Sequence, residues 1–157
     1  MDDTVLRYVQ QSVLCWLATA DQDGMPNVTP KEIFRAYGRD KLLIANIASP
    51  RSLANIVVNP KVCVSFIDVF VQKGCKLKGV ATVLRLGDAD YASMAHGLAE
   101  LAGERFPFSS LFAIQVQSAE PIVAPSYRLY PQTTEATQIE SAMRAYGVQP
   151  RQGRPGS

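Results

Sequence analysis

The sequence predicts a mainly β, α+β domain: an antiparallel sheet or small barrel of about six strands, with three or four peripheral helices. Three observations lead there. Short apolar runs of strand length alternate with polar residues. Turn signals such as Asp21-Gln22-Asp23-Gly24 and Tyr37-Gly38-Arg39-Asp40 join successive runs as hairpins. Regular strand–helix–strand alternation is missing, as are the G-x-G-x-x-G and G-x-x-x-x-G-K-[ST] signatures, which argues against Rossmann and P-loop folds.

In order along the chain, Asp2 or Asp3 caps a first helix whose apolar stripe is Val5, Leu6, Val9 and Val13. A first strand follows from Val13 to Ala20. The second runs from about Met25 to Phe34; Pro26 and Pro30 within it require an edge, a bulge or a ligand-facing position, because neither can donate to a ladder. The third strand is Leu42 to Ile47. Ser49-Pro50 then opens a short helix: serine is a favoured N-cap and proline fits the first helical position. Asn59-Pro60 stops that helix. Val62, Val64 and Phe66 alternate with Cys63, Ser65 and Ile67 in the next strand, which continues through Val69-Phe70-Val71 to a break at Gln72-Lys73-Gly74. Cys75 to Leu86 is a further strand, with Gly79 marking a bulge or a close backbone approach. Asp88 or Asp90 caps a helix over 90–102 carrying Met94, Leu98 and Leu101. Phe106-Pro107-Phe108 is a loop, and Leu111 to Ala124 is the last strand. A final helix opens at Thr133-Thr134-Glu135, with Thr137-x-x-Glu140 as its capping box and Gly147 as its end. The domain is expected to span 1–147, followed by a disordered tail over 148–157.

Composition narrows the function classes. The 157 residues are 47% apolar, enough for one domain with a real core. A net charge of +2 gives nucleic acid no electrostatic footprint. Cys15, Cys63 and Cys75 lack C-x-x-C spacing and read as buried thiols, and with the lone His96 they form no zinc pattern, so no metal is expected. No apolar run reaches membrane-spanning length and no basic–apolar leader opens the sequence, so the reading is a cytoplasmic chain with no membrane partner.

The chemistry concentrates in the Ser49-Pro50-Arg51-Ser52 turn. A helix N-terminus offers unpaired N–H groups and a positive pole, and so suits a phosphate. Arg51 adds a charged fork, Ser49 and Ser52 add hydroxyls, and Asn55 extends the polar face. The alternative at this point is an ordinary capped helix start, with Arg51 in solvent.

Residues Leu17 to Lys31 (LATADQDGMPNVTPK), then Ala45-Asn46 with Pro50-Arg51-Ser52, then Asn59-Pro60-Lys61-Val62, then Lys76-Leu77-Lys78-Gly79, resemble in order and spacing the pyridoxamine 5′-phosphate oxidase-like family. The resemblance covers about Val13 to Val123. It implies a six-stranded antiparallel split β-barrel that binds FMN. It further implies that Thr29, Pro30, Lys31 and Glu32 lie at the isoalloxazine edge. Ala45 and Asn46 contact the ring or the ribityl chain, and Arg51, Ser52 and Asn55 hold the phosphate. Gln72 and Lys73 correspond to the place from which a second subunit reaches the cofactor, in a two-fold homodimer with flavin at the interface.

Two departures stand out. Where the oxidases carry Ser-Arg-Lys, this chain has Ser-Pro-Arg-Ser, one positive charge fewer, leaving Lys61 or Lys31 to compensate. The C-terminal Arg and His positions that the oxidases use for vitamin B6 have no match; Ser126 to Pro131 occupies that region. The expectation is therefore a flavin-dependent oxidoreductase on an unknown small molecule, with no side chain marked as catalytic. The alternatives are a non-catalytic flavin-binding or redox-sensing dimer, and an F420-dependent reductase. F420 would want a wider basic groove. A haem relative would want an axial ligand better placed than His96.

Overall fold

The structure is a computed structural model that describes residues 1–150, so the part of the expected tail beyond residue 150 lies outside the described residues. The elements follow as α1 (Asp3–Gln11), β1 (Cys15–Ala20), β2 (Pro26–Lys31), β3 (Phe34–Tyr37), β4 (Lys41–Ala45), α2 (Pro50–Val58), β5 (Lys61–Asp68), β6 (Lys73–Arg85), α3 (Tyr91–Ala102), β7 (Ser110–Val123), α4 (Ser126–Leu129) and α5 (Glu135–Tyr146). The strands make one seven-stranded sheet in the order β2-β1-β5-β6-β7-β4-β3, and every neighbouring pair is antiparallel.

The mainly β, split-barrel reading holds, with one strand more than the six expected. The expected single strand from Met25 to Phe34 is two strands, broken at Glu32-Ile33. That break shapes the molecule. β2 and β3 lie at opposite edges of the sheet, yet only Glu32 and Ile33 separate them in sequence. Lys31 and Phe34 can be no more than roughly 10 Å apart. The sheet must therefore curl until its edges approach. No β2–β3 ladder seals it, so the barrel is split. Both prolines of β2 are accommodated because β2 is an edge strand.

The core follows from period-two alternation. Leu17, Leu42, Ile44, Val64, Phe66, Leu77, Phe112 and Ile114 fill the barrel, closed by Val5 and Val9 of α1 and Ile56 of α2. Phe34 and Phe66 meet edge to face at 5.4 Å. The opposite faces of β4 and β7 give Leu43, Ala45, Leu111 and Ala113 to α3, which answers with Tyr91, Ala95 and Leu98. β4 is covered on both sides, and this is why it reads as a continuous apolar run. Burying each large side chain contributes about 1.5–3 kcal/mol.

Other local expectations are corrected. Val13 lies beyond α1 and is exposed, and β1 starts at Cys15. Val69–Gln72 is a turn rather than strand, with Gln72 at φ +57°. Neither expected cap forms: Asp90 begins α3 without a side-chain cap bond, and the Asp88 carboxylate accepts from the Arg85 amide. The α5 capping box is Thr134 with Thr137, and the short α4 has no counterpart among the expected elements. Gly79 combines both suggested features: the ladder shifts register between Lys78 and Gly79, and a Cβ there would lie 2.2 Å from the Gln115 carbonyl oxygen. None of the described helices is long and apolar enough to cross a membrane.

Candidate functional site

α2 begins as the sequence suggests, with Ser49 at the N-cap and Pro50 in the first turn, but Ser49 does not cap it. Its hydroxyl instead accepts a hydrogen bond from the Lys31 ammonium, which arrives from the end of β2. First-turn amides have no intrahelical acceptor, so those of Arg51 and Ser52 are left without a side-chain partner at the positive pole of the helix. Arg51 is exposed and forms no ion pair among the described residues.

Beside this helix start lies a cavity of about 200 Å³. The β2–β3 connection supplies Pro30, Lys31, Glu32 and Ile33. The β4–α2 connection supplies Ala45, Ile47, Ala48 and Ser49, and the loop after α3 supplies Phe106. Lys31 is only 7% exposed. Burial pulls its pKa below the ordinary lysine range, and its register partner on β1 is Cys15. Burial also pushes the Cys15 thiol up to about 12, so it stays a neutral thiol.

Behind the helix start lies a polar network. Asn55 donates to the Thr19 hydroxyl at 3.0 Å, and the Asn27 amide lies 3.3 Å from both Thr19 and Ser52. The Thr29 and Ser52 hydroxyls are 3.2 Å apart. Thr19, Ser52 and Asn55 are all buried. Ser52 and Asn55, the polar face of α2, therefore meet β1 and β2. At the end of β4, Asn46 donates its side-chain amide to the Ser110 hydroxyl at 3.0 Å, while its Oδ1 is buried without a partner.

The structure thus brings Pro30, Lys31, Glu32, Ala45 and Ser49 to one cavity, sets Asn46 in the chain beside its wall, and puts Arg51 at the adjacent helix start. Thr29, Ser52 and Asn55 join through the polar network. Gln72 and Lys73 do not line the cavity. Lys73 bonds Glu135 of α5 at 2.7 Å and lies 4.4 Å above the Tyr127 ring of α4; Tyr127 in turn donates to the Val71 carbonyl at 2.8 Å. His96 is exposed on α3, 3.4 Å from Glu100, and no group of His, Cys, Asp and Glu able to hold a metal occurs among the described residues.

The family profile described as Pyridoxamine 5′-phosphate oxidase matches residues 1–123. The chain belongs to the pyridoxamine 5′-phosphate oxidase family. Solved structures with the same fold include HupZ from Group A Streptococcus. It is 21% identical, has a TM-score of 0.65, and the match covers 76% of this chain and 91% of that one. An FMN-binding protein from Syntrophomonas wolfei has a TM-score of 0.66 at 13% identity, covering 78% and 86%. HutZ, the haem storage protein from Vibrio cholerae, has a TM-score of 0.61 at 22% identity, covering 74% and 89%. Identities this low carry the fold alone. Among curated proteins no significant match is found.

In this family member, sequence reasoning missed Thr19, Asn27, Ile47, Ala48, Phe106 and Ser110. Thr19 and Asn27 were findable in principle: strands joined by the Asp21–Gly24 turn place them directly opposite each other, on the face that Leu17 marks as inward. Phe106 had no such signal, because it reaches the cavity from a loop more than fifty residues further along the chain.

Proposed function

We propose that this pyridoxamine 5′-phosphate oxidase family member binds FMN and works as a flavin-dependent oxidoreductase on a small molecule. One observation carries the reading. Segments around Lys31, Ala45–Ser49 and, more than fifty residues further on, Phe106 meet at a single cavity beside an uncapped helix N-terminus with an unpaired arginine. Arg51 and the first-turn amides of α2 would hold the phosphate. The orphaned Asn46 Oδ1 fits a donor on the ribityl chain or the ring. Ala45 and Ala48 let a planar group approach the wall closely, and Phe106 screens it from water. Bound flavin supplies the redox chemistry; the chain supplies binding, orientation and charge.

A flavin carrier without turnover is the second reading. What favours it is that, among the described residues, the only titratable side chains on the cavity wall are Lys31, tied to Ser49, and the exposed Glu32, neither of them held by a second group as a general acid or base commonly is. Haem finds no axial ligand there, because His96 is exposed on α3 and pairs with Glu100.

An absorption spectrum of the purified protein tests the cofactor. FMN bands are expected, and Arg51→Ala should weaken FMN binding by about tenfold or more, the size of a lost charge-assisted hydrogen bond. A colourless protein that takes up no added FMN would sink the proposal, and unchanged affinity in the variant would remove Arg51 from the site. Bleaching by a reductant and recolouring with a candidate acceptor separates the enzyme from the carrier.

We also propose that the working form is a homodimer. The outer face of β2, β1 and β5 exposes Val28, Trp16 and Ile67 along one diagonal, continuing to Val69 and Phe70. A contiguous apolar face of this kind is a usual mark of an interface.

A further inference from the structure

We propose that Lys31 is the second cation of an anion site at the start of α2, built for the dianionic phosphate of a phosphate monoester. The proposal deepens the FMN reading and rests on it for the identity of the ester, though not for its charge. It moves Lys31 from the flavin ring edge to the phosphate end of the site.

The argument starts from a charge without a counter-charge. Lys31 is more than nine-tenths buried, and it forms no ion pair among the described residues. Its one hydrogen bond goes to Ser49, a neutral hydroxyl. An ammonium has three donors, so the others are free to face the cavity that Lys31 lines. A buried lysine kept for structure alone is expected to hold a carboxylate.

The position of Ser49 settles the direction. Ser49 is the N-cap of α2, so the ammonium stands at the positive pole of that helix. By taking the Ser49 hydroxyl, Lys31 also removes the natural cap and leaves the first-turn amides open. Arg51 follows Ser49 by one residue beyond Pro50 and is likewise unpaired. An ammonium and a helix pole of the same sign therefore meet at Ser49, with Arg51 two residues further along the same helix. Ammonium and helix pole each raise the cost of the other unless an anion joins them. Phosphate, with three terminal acceptor oxygens and close to two negative charges, matches that number of donors better than a carboxylate does.

The charged and titratable groups around Lys31 are few. Cys15 faces it from β1 and stays neutral, Glu32 follows it in the chain and is exposed, Arg51 lies on α2, and Arg105 precedes Phe106 on the loop. Within this set, Lys31 is the group whose pKa burial draws below the ordinary lysine value.

The test compares wild type, Lys31→Arg and Lys31→Gln for binding of FMN, riboflavin and inorganic phosphate, from neutral pH to about pH 10. Lys31→Gln should lose about tenfold or more in FMN affinity and keep its riboflavin affinity. Wild type should lose FMN affinity at alkaline pH, while Lys31→Arg, always charged, should show no such limb. Riboflavin shares the ring and controls for ring ionisation. Equal weakening of FMN and riboflavin in Lys31→Gln would return Lys31 to the ring edge and overturn the proposal while leaving FMN in place. No change in either would overturn it as well. Should wild type take up neither flavin, the FMN reading fails by itself. Inorganic phosphate then decides: a rise in Tm for wild type but not for Lys31→Gln upholds the anion site, and no rise in either ends it.

Discussion

Lys31 at the end of β2 donates to the hydroxyl of Ser49, the residue that opens α2. The contact joins an edge strand to a helix start. It has two consequences at once. A buried ammonium receives only a neutral partner, and a helix that could have capped itself does not. Both are costs to the unliganded fold, and both are relieved by the same event, the arrival of an anion.

Lys31→Met should therefore stabilise the unliganded protein, by about 1 kcal/mol in denaturant unfolding, as removal of an uncompensated buried charge commonly does. Part of the gain comes from Ser49, freed to cap α2. The pH dependence has a definite sign. The native pKa of Lys31 is depressed, so the native state binds fewer protons than the unfolded chain between that depressed value and the ordinary lysine value. Wild-type stability thus carries the full penalty at neutral pH and recovers it as pH rises through that window. The stability difference between variant and wild type should shrink on going alkaline. A constant difference would assign the gain to packing.

The network behind the helix gives a second expectation. Asn55→Ala removes a 3.0 Å bond to Thr19 and leaves a space against β1. A loss of about 1–3 kcal/mol is expected. The double replacement Thr19→Val with Asn55→Leu removes donor and acceptor together and should recover part of that loss. Urea unfolding of the two proteins checks it; a double variant weaker than Asn55→Ala would mean that the remaining polar groups, Asn27 and Ser52, depend on Thr19 more than on each other.

These residues also mark how far the sequence could be read. The strands, the hairpin at Gly24, the proline-led start of α2 and the bulge at Gly79 were all legible, because each is written in neighbouring residues. The seventh strand was not, because Glu32-Ile33 breaks a run that periodicity alone leaves whole. Ser52 and Asn55 read from the sequence as part of the polar face of α2. Helical spacing shows that they share a side, but not that the side meets Thr19 and Asn27, whose place depends on strand pairing remote in sequence. Ser49 was legible as a helix start and not as the partner of Lys31, for the same reason. Lys73 adds contacts that the sequence did not suggest: Glu135 and Tyr127 hold it from a C-terminal region that the resemblance does not cover.

Gly79→Ala should destabilise the fold by about 1–3 kcal/mol, the usual penalty for overpacking. The added Cβ would meet the backbone oxygen of Gln115 at 2.2 Å, and a carbonyl fixed in the β6–β7 pair cannot turn aside. Gly24→Ala is the contrast. Nothing lies within 4 Å of that position, so only its positive φ resists the change. Equal Tm losses for the two would show that β7 gives way at Gln115.

The outer face of the barrel yields the last expectation. Trp16 pairs in register with Pro30 on one side and Ser65 on the other, and alternation sends all three outward. Val28 and Ile67 extend the same face, so an apolar surface continues across three neighbouring strands at their most exposed. Next to it, a groove of about 440 Å³ runs between Trp16, Val13 and the Ile67–Phe70 turn. If two copies meet here, Trp16→Glu places a charge in the middle of the contact, while in a single copy the side chain would simply enter solvent. Size-exclusion chromatography with light scattering should give a dimer for wild type and a monomer for Trp16→Glu, with Tm measured at one fixed protein concentration falling in the variant because dissociation removes a stabilising partner. A wild-type monomer, or a variant that stays dimeric, would put the interface elsewhere or nowhere. FMN affinity adds a second reading of the same pair of proteins. If flavin lies at the interface, it should fall with the dimer; if the cavity beside Lys31 is sufficient by itself, it should not move.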